Sequence, residues 1–110
     1  METDLDVVHC YAQLAHTVTH MLELARAREW TRLPALDQQC TAFVDRLRAM
    51  EPHPELAAMD RARVVALLTR IRSDQHELQE LIRPQCQRLM HELHQLHRQQ
   101  KLHGAYRGAA

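Results

Sequence analysis

The sequence predicts an all-α fold, an antiparallel bundle of four helices in a single domain, 1–110. Three observations carry this expectation. Leu, Ala, Gln, Glu and Arg dominate the 110 residues, and they lose little freedom in a helix. Aromatics are few (Tyr11, Trp30, Phe43 and Tyr106), and the two glycines, Gly104 and Gly108, both lie near the C-terminus. Apolar side chains recur every three or four residues, the period of one helix face.

The first helix is expected over 4–28. Val8, Tyr11, Ala12, Ala15, Val18, Leu22 and Ala25 cover an arc of roughly 150° at 100° per residue, wide enough for two neighbours. Thr3 or Asp4 can cap its start. The second helix is expected over 31–50, with Leu33, Leu36, Cys40, Phe43, Val44 and Leu47 on one face. Pro34 is tolerated there, because a first-turn N–H has no helical partner to lose. The run "MEPHPE" carries two prolines and reads as a loop. The third helix is expected over 60–83, with Val64, Leu67, Leu68, Ile71, Leu78 and Leu81 as its stripe. Pro84 should end or kink it, since the residue before a proline is pushed out of helical geometry. The fourth helix, 84–103, has a narrower stripe of Leu89, Leu93 and Leu96, with Gly104 as its stop. Its few anchors suit an element that can detach.

The charge balance is zero overall but uneven. Residues 1–60 carry ten acids and five bases; 61–110 carry four acids and nine bases. That asymmetry can steer partners, but it is too weak for a dedicated nucleic-acid binder. Cys10, Cys40 and Cys86 are odd in number and lack C-x-x-C spacing, so reduced thiols are expected rather than a zinc site or a disulfide frame. The acidic N-terminus does not resemble a signal peptide, and the longest apolar run, Val64 to Leu68, is far short of the ~20 residues that span a bilayer. A cytoplasmic protein without membrane insertion is expected.

Nine histidines raise the question of a metal or a pH response. His9, His16 and His20 fall within about 40° of one another on the first helix. His91, His94 and His97 spread over about 120°, mostly away from the leucines of the fourth. Neither set is joined by a carboxylate or thiol in a metal-binding pattern, so solvated helix faces are the simpler reading. Of the eight glutamates, none has a histidine three residues on, which removes the di-iron bundle pattern. The chain has one lysine, Lys101, one serine, Ser73, and no phosphate-cradling glycine loop. No catalytic residue, cofactor or metal ligand is assigned, and a non-enzymatic protein is expected. The leucine stripes are core first. A loosely held fourth helix would leave an apolar groove able to accept a partner helix, with Met side chains as adaptable lining.

Three stretches resemble the FliT family of flagellar export chaperones. "LELARAREW" runs from Leu22 to Glu29 and Trp30. "ALLTRIRSDQHELQELIRPQCQRLMHEL" keeps Leu67, Leu68, Ile71, Asp74, Leu78, Leu81, Pro84 and Leu89 in step with that family's third and fourth helices. "QQKLHGAYRG" is similar to its basic segment ending in Ala-Tyr. The resemblance implies a chaperone that binds the filament-cap protein FliD, prevents its early assembly and delivers it to the export ATPase FliI with FliJ. It also implies FlhC as a partner, through which flagellar operons are repressed. It implies homodimer formation through the first helices, here Val8, Tyr11, Ala15, Val18 and Leu22. Cap-protein binding would fall in a groove along the third, at Val64, Leu67, Leu68, Ile71, Leu78 and Leu81. Leu89, Leu93 and Leu96 would form a displaceable cover over that groove. A helical adaptor unrelated to flagella, or a histidine-rich metal-binding bundle, are the alternatives in other classes.

Overall fold

The computed structural model describes residues 2–51 and 55–108, with side chains over 6–51 and 55–104. It contains α1 (Glu2–Arg26), a short 3-10 turn (Trp30–Arg32), α2 (Leu33–Ala49) and α3 (Ala58–Gly108). The fold is all-α, with three long helices rather than the expected four. The loop expected at Pro52 and Pro54 and the capping side chains of Thr3 and Asp4 lie outside the described residues and side chains.

The missing break is at Pro84, which sits inside α3. A proline there removes one backbone donor and crowds the carbonyl of Glu80. Pro84 is exposed, so water can satisfy that carbonyl. Strong helix formers flank it on both sides, and an Arg83–Glu80 ion pair of 3.5 Å spans the same turn. Gly104 likewise lies within the helix and does not stop it.

α1 ends at Arg26 by a specific device. The N–H of Arg28 donates to the Ala25 carbonyl and that of Glu29 to the Leu24 carbonyl, at 3.0 and 2.9 Å. This pair of bonds closes a helix through a left-handed residue, and Arg28 occupies that position with φ 60°. Pro34 falls in the first turn of α2, as its spacing predicts.

The chain divides into two compact units, Met1–Gln79 and Glu80–Ala110. The core of the first is built around α1. Val7, Cys10, Leu14, Ala15 and Val18 pack with Leu47 of α2 and Ile71 of α3, while Tyr11, Cys40, Phe43 and Val44 close its edge. Val7 and Val18 are fully buried. Farther along α1, Met21, Leu22, Leu24 and Ala25 are buried as well. The broad face of α1 thus meets two neighbours, as its width predicts, and both belong to the same chain. Of the residues named for a dimer face, Ala15, Val18 and Leu22 are buried within the chain, and Val8 and Tyr11 keep partial exposure.

Candidate partner-binding surfaces

Within the first unit, α1 and α2 leave a furrow between them. α2 contributes Leu36 and Phe43, and Met50 follows just past its C-terminal end, the three spaced seven residues apart and half-buried. α1 contributes the histidines. His9, His16 and Ala12 line one stretch of the furrow with Phe43, and His20 and Leu24 line the next with Leu36. The histidine strip therefore borders an apolar furrow instead of facing open solvent on both sides. A wheel drawn for α1 alone cannot show this, because it omits where α2 lands. Among the described residues, no three His, Cys, Asp or Glu side chains gather to hold a metal ion.

The thiols are held in different settings. Cys10 is buried and donates to the Phe43 carbonyl at 3.4 Å. Burial pushes its thiol above the ordinary range, against a smaller opposing pull from Arg46. Cys40 lies 3.7 Å from the Met21 sulfur, and burial followed by the Asp37 charge pushes it up too. Both are thiols, not thiolates, at neutral pH, which is the unreactive form. Cys86 is exposed.

α1 and α3 are tied by polar contacts in the first unit. The Thr19 hydroxyl donates to Asp74 at 2.6 Å and accepts from the Arg70 guanidinium at 2.8 Å. Arg26 pairs with Glu77 one turn on.

The expected groove residues of the third helix divide into two sets. Val64, Ile71 and Leu78 are buried, Ile71 in the core against α1 and α2. Leu67 and Leu68 are half-buried in the first unit, and Leu81 is half-buried in the second. Sequence reasoning passed over Val65, which is exposed beside Ala58, Ala62 and Arg61. Its position off the main stripe was the available signal.

In the second unit, Leu89, Leu93 and Leu96 are 57%, 50% and 54% exposed. Together with Met90 they form an exposed apolar face of that unit. No helix of the described residues is long and apolar enough to cross a membrane.

The described residues form an all-helical chain that keeps a row of leucines at its surface. The chain belongs to the FliT family: the family described as "Flagellar protein FliT" matches residues 8–108. A solved relative is similar, the flagellar protein FliT from Bordetella bronchiseptica. It shares 31% identity with a TM-score of 0.70, over 76% of this chain and 94% of that one. None of the curated proteins matches this chain.

Proposed function

We propose that this chain is a cytoplasmic flagellar export chaperone that acts by binding and not by catalysis. Its cargo is the C-terminal region of the filament-cap protein FliD, which it keeps from assembling before export. It hands that cargo to the FliI–FliJ export complex. FlhC is a further partner, whose capture represses flagellar operons through protein contact without direct DNA binding. The chain acts as a homodimer.

The observation that supports this reading is the leucine face of α3 in a member of this family. Leu89, Leu93 and Leu96 follow the i, i+4, i+7 rhythm that a partner helix reads. Their combined exposure is a standing cost in water that docking removes, at roughly 25 cal/mol per Å² of apolar surface covered. The cargo site lies along α3, at Leu67 and Leu68 with exposed Val65 beside them.

The test is co-elution of the purified chain with the C-terminal region of FliD on a sizing column. A stable complex is expected, weakened by Val65→Glu, a surface change that leaves the fold intact. Failure of the wild-type chain to retain the FliD fragment refutes the proposal.

A further inference from the structure

α1 carries His16 and His20 four residues apart, within its long helical run. Side chains at this separation stand one above the other on the same face, with Cβ atoms about 5–6 Å apart. Two imidazoles so placed reach a single ion, each through one ring nitrogen at about 2.1 Å. No other two of the nine histidines have this spacing. The backbone that carries the pair is fixed by the core, since Ala15, Thr17, Val18, Met21 and Leu22 are buried around it. The hydroxyls of Thr17 and Thr19 donate to the Gln13 and Ala15 carbonyls on the same turns, at 2.8 and 3.0 Å. His16 remains exposed and His20 half-buried. A pair held on a rigid element and open to water has little backbone freedom to lose when it takes up an ion.

The other group of histidines lacks these features. His91, His94 and His97 are three residues apart, in a unit where no described residue is buried. A ring nitrogen of His91 already stands 3.2 Å from the Gln95 amide. On α1 itself, His9 precedes His16 by seven residues, roughly 10 Å along the axis, too far to share one ion. Glu23 follows His20 by three residues and is exposed, so its charge offsets that of a nearby cation. Arg32 lines the furrow beside His20, and Glu29 meets its charge at 3.2 Å. Among the described residues no third His, Cys, Asp or Glu gathers with the pair, which leaves the other coordination positions to water.

We propose that His16 and His20 chelate a late first-row divalent transition-metal ion, of the class of Ni²⁺, Cu²⁺ and Zn²⁺. Neutral imidazole suits these ions, whereas Mg²⁺ and Ca²⁺ take oxygen ligands. Cu²⁺ binds more tightly than Ni²⁺ at a site of this kind. His16 and His20 line successive stretches of the α1–α2 furrow, so the ion stands at the edge of that furrow. The site is independent of the chaperone reading, because no flagellar partner contributes to it.

Calorimetric titration of the full chain with Ni²⁺, at neutral pH and without any purification tag, tests the site. One ion per chain is expected to bind in the micromolar range. His16→Ala and His20→Ala should each weaken it by about tenfold or more, because either change breaks the chelate. The double variant should bind no more weakly than the single ones, since the second imidazole has no partner left to act with. Both positions face water and alanine favours helix, so the variants fold, which circular dichroism checks. His91→Ala combined with His94→Ala should leave the affinity unchanged. Ni²⁺ should also raise the melting temperature of the wild-type chain and leave that of His16→Ala unmoved. An affinity indifferent to both single variants overturns the proposal. So does a loss shared equally by the His91 and His94 variant, which would mean an ion spread over exposed histidines, or no binding up to millimolar Ni²⁺.

Discussion

The Thr19 hydroxyl donates to the Asp74 carboxylate across 2.6 Å, and so joins the middle of α1 to α3. The same oxygen accepts from Arg70, so one small side chain sits between a carboxylate and a guanidinium. Hydrogen bonds to charged groups contribute about 1.5–3 kcal/mol, less where solvent reaches them. Asp74 is largely shielded while Arg70 is not. Thr19→Val keeps the shape of the side chain and deletes the hydroxyl. A loss of about 1 kcal/mol is expected in urea unfolding, with an unchanged denaturant slope. No loss would mean that water serves Asp74 equally well.

Arg28 holds a left-handed backbone at φ 60° to close α1. A side chain with a Cβ bears a cost there of roughly 1 kcal/mol, which glycine avoids. Arg28→Gly should therefore stabilise the protein by up to about 1 kcal/mol, although glycine's freedom in the unfolded chain offsets part of this. A melting temperature raised by a few degrees is the expected result; a lowered one would show that the Arg28 side chain contributes more than its backbone costs.

Cys10 and Cys40 link stability to alkaline pH. Burial raises both thiols above the ordinary value near 9.0, so the folded state holds these protons more tightly than the unfolded state. The resulting stability is fully present below the unfolded pKa and is lost as pH rises through the raised folded values. Denaturation midpoints should be flat from pH 7 to about 8 and fall above 9. Cys10→Ala should flatten part of that fall, at the expense of a lower stability throughout from the lost packing. An equal alkaline slope in the variant would assign the effect to other groups.

The elements that were legible in sequence are those set by local rules. The width of the α1 stripe called for two neighbours, and α2 and α3 fill them. Pro34 sits where a missing N–H is harmless. Of the α2 face, Cys40, Phe43, Val44 and Leu47 reach the core, with Leu47 the most buried, while Leu33 and Leu36 stay half-buried outside it. What stayed hidden depends on tertiary placement. Ala15 and Leu22 read equally well as a dimer face or a core face, and only the position of the other helices decides. His9 and His16 are exposed, as a wet strip would be, but α2 sets Phe43 beside them and Leu36 beside His20, which a wheel of α1 alone cannot show. Leu89, Leu93 and Leu96 have the spacing of core residues, yet no described residue of that unit buries them.

Pro84 is the place where a local rule and the fold disagree. Inside a helix, a proline costs about 3 kcal/mol relative to alanine, through one lost donor and one crowded carbonyl. α3 nevertheless runs from Ala58 to Gly108, so neighbouring turns absorb that cost. The turns around Pro84 should therefore be the weakest in α3, opening more often than those near Ile71, which the core holds. Pro84→Ala restores the donor to the Glu80 carbonyl. Native-state hydrogen exchange should then slow at the amides from Leu81 to Arg88, by up to about a hundredfold if most of the 3 kcal/mol is recovered. Exchange at Val18 and Ile71 should not change, because their protection comes from the packed core. If the amides flanking position 84 exchange at the same rate in both proteins, the proline is not what limits the helix there. The weakness would then follow from the exposed leucines, whose docking partner would supply the missing stability.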